Sequence, residues 1–286
     1  MTISGMKAMI ENYRSRYGKV DEVTFFHGGV PTAEEIAICD EVPWKLAVNP
    51  LDCTRSEAKR CVQNGMKAIE LEVGSLCDDV LHASKKGYTF EYIRQQVQYF
   101  HERGVQVGLV LTPGMYGSSY QHTCTTTERC SELRVSFVRI YPVCVYEGTT
   151  LAIRYREDRF TPLSLSQTVT IVREMTDRLA EVKIDVIRIG RQGRQDGLAT
   201  PIAGPIHSNI RGLVENRKFF DMIAAQLCTT AADIRQITIH PKDISLVKGV
   251  GGDTIRHLRA RLERNLVISC DEAVPRGTVQ IGRKND

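Results

Sequence analysis

Asn64-Gly65-Met66-Lys67-Ala68-Ile69-Glu70-Leu71-Glu72-Val73-Gly74-Ser75 and Arg103-Gly104-Val105-Gln106-Val107-Gly108-Leu109-Val110-Leu111-Thr112-Pro113-Gly114 are two versions of one phrase. Each runs from a helix-ending glycine through a short apolar stretch to a glycine at the exit. Glycine suits the helix end because it takes a left-handed backbone at little steric cost. Further apolar runs of strand length lie at residues 23–27, 44–48, 137–141 and 184–190, beside those at 68–73 and 105–111. Helices with legible starts fall between them. Thr32 with Glu35, Thr54 with Glu57, and Ser164 with Gln167 each fit a capping box, in which two orphan amides are satisfied reciprocally. After Thr89, Phe90, Ile93, Val97 and Phe100 share one helical face; after Ser164, Leu165, Val169, Val172 and Leu179 do the same. Parallel neighbours need a crossover and a helix supplies it, so the alternation predicts a parallel sheet wrapped by helices. The regular phrasing favours a barrel or part of one, whose site lies at the C-terminal ends of the strands.

The chain has 286 residues, 42% of them hydrophobic and 25% charged, which is the balance of a globular domain with a substantial core. No run of eighteen apolar residues occurs, so no membrane span is expected. Met1 to Met9 has no basic stretch before an apolar core, so no secretory signal is expected either. With 38 basic and 34 acidic residues the net charge of +4 is too small to argue for a nucleic-acid partner by itself. The nine cysteines form no paired framework and read as free thiols of a cytoplasmic protein. Residues 191–204, rich in Gly, Gln and Pro, read as a linker or loop. The expected domains are therefore 1–200 and 201–286, the second opening with a helix at 215–227.

Four strand-end phrases carry polar or glycine residues. Phe25-Phe26-His27-Gly28-Gly29 would let a ligand approach the backbone, although a tight turn explains it as well. Glu70 and Glu72 share one face of a strand, as general acid and base or as salt-bridged barrel carboxylates. Thr112-Pro113-Gly114-Met115-Tyr116-Gly117 is glycine-rich but lacks the Lys-Ser/Thr ending of a P-loop. Val138-Arg139-Ile140-Tyr141-Pro142 ends a fourth strand.

Taken in order, these phrases resemble the radical S-adenosylmethionine (SAM) superfamily, in the bacterial branch similar to the catalytic subunit of Elongator. His27-Gly28-Gly29 stands where that family holds the methionyl amino group. Glu70-Leu71-Glu72-Val73-Gly74-Ser75, Lys86-Gly87-Tyr88-Thr89, Thr112-Pro113-Gly114, and Tyr141-Pro142 with Glu147-Gly148-Thr149 resemble its further motifs, and Val186-Ile187-Arg188-Ile189-Gly190 its closing strand. The resemblance implies SAM as cofactor. It places His27, Gly28 and Gly29 at the amino end, Glu70 and Ser75 toward ribose or carboxylate, and Gly114 and Tyr141 along the adenine. It also implies an α/β fold: a partial (β/α)6 barrel of radical SAM type lacking its first strand, with a small C-terminal α/β unit. Glu72, Gly74 and Asn49 depart from the family's glycine, glutamine and arginine, and Glu72 adds charge to the ligand-facing layer.

Family members hold a [4Fe-4S] cluster through C-x-x-x-C-x-x-C, and no such spacing occurs in this chain. The resemblance begins at Met1-Thr2-Ile3-Ser4-Gly5, just beyond where the last of those cysteines and the first barrel strand would stand. Joint loss of strand and loop is what truncation produces, since removing the strand opens a sheet edge. The expectation is a radical SAM protein, cleaving SAM reductively in RNA or transfer-RNA modification, truncated before or at its cluster loop. The alternative is a cluster-free scaffold or RNA-binding protein; a hydrolase or lyase using Glu70 and Glu72 is a third reading. No catalytic residue and no metal ligand set is assigned.

Near the end, Gly249-x-x-Gly252-x-x-Ile255-x-x-Leu258 resembles the G-x-x-G loop between helices of the KH module. There the loop backbone meets nucleic-acid phosphates and the following helix favours anions. That likeness nominates Gly249, Gly251, Gly252 and Arg256 for RNA, while a glycine turn before a solvated charged helix accounts for the pattern equally.

Overall fold

The computed structural model describes residues 2–26, 29–190, 201–229, 236–249, 253–262 and 266–282. Two compact units emerge. The first comprises Met1–Leu163, Met175–Arg191 and Gly197–Ile206; the second comprises Ser164–Glu174, Gln192–Asp196 and His207–Asp286. No helix among the described residues is long and apolar enough to cross a membrane.

The chain opens with α1 (Ile3–Tyr17), β1 (Val23–Phe25), α2 (Ala33–Ala37), β2 (Trp44–Val48), α3 (Arg55–Gln63) and β3 (Ala68–Gly74). It continues as α4 (Asp78–Ala83), α5 (Phe90–His101), β4 (Gln106–Leu111), α6 (Tyr120–Glu132), β5 (Phe137–Ile140), β6 (Val145–Tyr146) and α7 (Thr150–Arg156). Then come α8 (Leu165–Glu181), β7 (Asp185–Ile189) and β8 (Pro201–Ala203). The principal sheet has the order β1-β2-β3-β4-β5-β7, with every pairing parallel. It curls as a half-barrel. These are the six strands the apolar runs predict; the expected end of the first, at His27, lies outside the described residues. Short β6 pairs antiparallel with β8.

Strand alternation assigns the two faces of this sheet. Leu46, Ile69, Leu71, Val73, Val107, Leu109, Leu111, Val138 and Ile140 are all buried, as are Ile93, Val97 and Phe100 along one stripe of α5. Each such aliphatic or aromatic side chain contributes roughly 1.5–3 kcal/mol by leaving water. All three expected capping boxes form. Thr32 and Thr54 exchange bonds with Glu35 and Glu57, and Ser164 does so with Gln167.

The second unit is built from α9 (Ile210–Thr229), β9 (Gln236–Ile239), α10 (Ile244–Lys248), α11 (Asp253–Leu262), β10 (Val267–Cys270) and β11 (Val279–Gly282). The helix expected at 215–227 starts earlier because the Asn209 side chain accepts the Gly212 N–H at 2.8 Å. Its added first turns bury Ile210 and Val214. The sheet runs β10-β9-β11, with β10 parallel and β11 antiparallel to β9. Phe219, Ile223 and Leu227 of α9 share a core with Ile237, Ile239, Val247, Ile255, Leu258 and Leu266. Buried Asp243 fixes the approach to β11, accepting the Gly277 N–H at 2.7 Å and the Arg276 Nε–H at 3.0 Å. Burial alone would raise this carboxyl, but those two bonds and the nearby positive charges of Arg276 and His240 hold it below the usual aspartate range.

Phe100→Ala should lower the stability of the first unit by about 3–5 kcal/mol, read from a denaturant titration, because a fully buried ring leaves a cavity. A second expectation follows from the depressed Asp243. Its contribution is fully present above the ordinary aspartate pKa of about 3.9 and is lost as pH falls through the lower folded value. Asp243→Ala should therefore speed hydrogen exchange at the Gly277 amide at neutral pH, and acidification should do the same to the parent chain.

Candidate functional site

The face of the half-barrel opposite its helices carries the side chains that alternate with the apolar ones. Register aligns Ala47 with Glu70, Glu70 with Gly108, and Gly108 with Phe137. Lys45 and Arg139 occupy the same face of β2 and β5, two residues removed from Ala47 and Phe137 respectively. Glu70 is only 2% exposed. It lies 3.2 Å from Lys45 Nζ, and Arg139 approaches both of its oxygens, Nε at 2.5 Å from Oε2 and the terminal nitrogen at 2.9 Å from Oε1. Lys45 also meets Glu22 at 2.6 Å. Burying a carboxylate so completely is costly unless cations pair with it in this way. Arg139 donates in addition to the Tyr141 hydroxyl at 3.4 Å. Burial disfavours its charge, but the bonds to Glu70 and Tyr141 prevail and raise its pKa.

Gly108 is needed for this arrangement. A Cβ there would stand 2.1 Å from the Phe137 ring, which fills the space over β4. Lys45 Nζ lies 5.8 Å from the centroid of that ring, within cation–π range. Lys45, Arg139, Phe137 and Glu22 were not nominated by motif. A usable signal existed in Trp44-Lys45-Leu46 and Val138-Arg139-Ile140, where a cation interrupts an apolar strand at the position facing away from the helices.

At the end of β3 the pairing with β4 shifts between Leu71 and Gly74. Gly74 has φ 75°, and a Cβ on it would stand 2.6 Å from Met115 Sδ. The left-handed backbone thus favours glycine where the resembled family has glutamine, and Met115 would have to shift for any Cβ there. Ser75, 6% exposed, accepts the Cys77 N–H at 3.2 Å and lies 3.2 Å from Thr126 Oγ1 on α6. It helps line a small cleft with Gly74, Thr112, Met115, His122 and Thr126. Exposed Glu72 lies close enough to influence Lys86 and Tyr88. Burial lowers the Lys86 pKa against the opposing pull of Glu72, and burial together with that carboxylate raises the Tyr88 phenol. The Asn49 side chain accepts the Leu51 N–H at 3.0 Å and caps the turn at Pro50–Asp52.

The predicted site residues thus separate into groups. Glu70 and Tyr141 are joined through Arg139. Ser75 is held against α6, and Gly114 stands where a Cβ would be 3.0 Å from Leu163. Gly29 follows β1 with no heavy atom within 4 Å of a Cβ position, while His27 and Gly28 lie outside the described residues. In the second unit Gly249 ends α10 and Arg256 is exposed on α11; Gly251 and Gly252 lie outside the described residues.

The described residues do not fit a [4Fe-4S] cluster. Among the described residues no group of three His, Cys, Asp or Glu side chains could hold a metal ion. Burial pushes the thiols of Cys39 and Cys61 up to about 11 and those of Cys53 and Cys130 up to about 12. Cluster ligands are thiolates at a set spacing, and the nine cysteines of this chain contain no C-x-x-x-C-x-x-C.

Comparison with known proteins bears on both units. Residues 135–218, from the start of β5 into α9, match the family model described as Radical_SAM C-terminal domain. A tRNA uridine(34) acetyltransferase of Methanocaldococcus infernus is 26% identical over 140 residues, which are 48% of this chain and 25% of that protein. One of Dehalococcoides mccartyi is 25% identical over 181 residues, 60% of this chain and 38% of that protein. The chain thus spans between a quarter and two-fifths of these relatives. The solved archaeal Methanocaldococcus infernus Elp3 with an N-terminal deletion superposes with a TM-score of 0.63 at 20% identity, over 74% of this chain and 57% of that one. That likeness carries the fold. The matched C-terminal domain, the relatives and the shared half-barrel make the chain similar to radical SAM proteins of the Elongator-like kind.

Proposed function

We propose that this chain takes part in SAM-dependent modification of transfer RNA, its half-barrel binding and orienting the nucleoside cofactor at the C-terminal ends of its strands. One observation carries this reading: the charge-neutralised carboxylate Glu70, which ties β2 and β5 to β3 and presents Arg139 and Tyr141 together at one strand end. Family resemblance supplies the cofactor, and the tRNA uridine(34) acetyltransferases supply the substrate class. Gly28 and Gly29 receive the methionyl amino end, and Gly114 and Tyr141 border the adenine. Glu70 acts through Arg139, since both of its oxygens are already engaged. Because the described residues do not fit an iron–sulfur cluster, no bond-breaking step is assigned to them; their part is binding and orientation. The missing C-x-x-x-C-x-x-C spacing favours a second reading, a cluster-free barrel that serves as a scaffold or RNA-binding protein.

Calorimetric titration with SAM distinguishes the two. The proposal expects saturable binding, weakened roughly tenfold by Tyr141→Ala, about the 1.4 kcal/mol of one modest contact. An absence of heat at high ligand concentration removes the proposal and leaves the scaffold. Glu70→Gln should weaken binding as well and destabilise the first unit by about 3–5 kcal/mol, because Arg139 loses its counter-charge and Lys45 keeps only Glu22. Melting curves beside the titration separate that structural loss from the Tyr141 effect.

A further inference from the structure

We infer that Arg188, opposite Arg139 near the end of β7, forms an anion-accepting position on the concave face, which takes the carboxylate or phosphate group of a second small ligand beside the nucleoside cofactor. Register is the first support. β5 and β7 pair Val138 with Val186 and then Arg139 with Arg188, so β7 carries one residue more over that step. Unbroken pairing would set Ile187 opposite Arg139. The shift sets a guanidinium there instead, and irregularities of this kind re-aim side chains. Register partners on adjacent strands share a face and lie about 5 Å apart. Arg188 therefore stands on the same face as Arg139 and Glu70. The strand ends are held level around it: the Gly190 N–H donates to the Ile140 carbonyl and the Tyr141 N–H to the Leu111 carbonyl, both at 2.8 Å.

Charge balance is the second support. Glu22, Lys45, Glu70 and Arg139 form a closed set of two carboxylates and two cations. Arg139 commits two nitrogens to Glu70 and turns the third toward the Tyr141 hydroxyl. Arg188 stands outside that set. It is partly buried, and among the described residues no carboxylate forms an ion pair with it. Glu72 shares the concave face but lies beside Lys86, and Asp185 opposes Phe137 at the other end of β7. Like charges facing one another on neighbouring strands repel. A guanidinium set against another guanidinium, with no carboxylate of its own, is stabilised by an anion, and its planar fork matches the paired oxygens of carboxylate or phosphate.

Sheet order separates this anion from the cofactor's own carboxylate. β1 and β7 are the two edges of the six-stranded sheet. The methionyl end is proposed at Gly29, which follows β1, and the adenine at Tyr141, which follows β5. Arg188 on β7 lies beyond the adenine side, at the edge opposite the methionyl end. That step rests on the cofactor placement proposed above, whereas the register and the charge balance do not.

The test follows the arginine Nε–H signals of the full chain by NMR during titration with inorganic phosphate and then acetate, at constant ionic strength set with chloride. The signal that Arg188→Gln removes should shift saturably with both anions. In Arg188→Gln the phosphate affinity, read from the Arg139 signal, should fall roughly tenfold, as loss of a charge-assisted pair does. The melting temperature should stay at the parent value. Should it drop, Arg188→Lys decides, since it keeps the charge, loses the fork and is expected to retain only part of the affinity. Saturating SAM should leave the phosphate shift in place. A shift that never saturates, or parent-like phosphate affinity without Arg188, would overturn the site; displacement of phosphate by SAM would overturn its assignment to a second ligand. Arg188-dependent phosphate binding in a chain that gives no heat with SAM would remove the cofactor reading and leave the anion site standing.

Discussion

The pairing of one buried carboxylate, Glu70, with Lys45 and Arg139 organises the concave face. Glu70 has almost no contact with solvent, and leaving it unpaired would cost several kcal/mol. Lys45 and Arg139 remove that penalty from opposite sides, and Glu22 balances the surplus charge at Lys45. The geometry constrains the sheet. Arg139 on β5 reaches Glu70 on β3 across the intervening β4, at a level where β4 offers Gly108 and the Phe137 ring lies over it. A larger residue at 108 would displace the ring, and with it the cation–π contact to Lys45. A hydrogen bond, an ion pair and a steric vacancy thus hold one another in place.

This network also accounts for the separation of residues that motif order brings together. Glu70 and Ser75 are five positions apart on one phrase, yet only Glu70 faces the concave side in strand register. The shift in pairing before Gly74 and the left-handed backbone at that residue turn the chain, and Ser75 finishes against Thr126 of α6. Glycine at 74 is therefore favoured by the local backbone, and a family-like glutamine would meet strain there and require Met115 to shift.

The half-barrel was legible in the sequence because its central strands are buried on both faces, and such strands read as apolar runs whatever their partners. Trp44–Val48 is recovered without change, and the other five differ by a residue or two at their ends. The caps were legible too, since a reciprocal Thr–Glu bond needs only local spacing. Less local features were not. Helix α1 is an example: it buries none of its residues, so it leaves no periodic apolar stripe to detect. The pair β6 and β8 is too short for its pattern to stand out. Glu70 was visible as a carboxylate in a strand, but its partners Lys45 and Arg139 lie 25 and 69 residues away, and only strand register unites them.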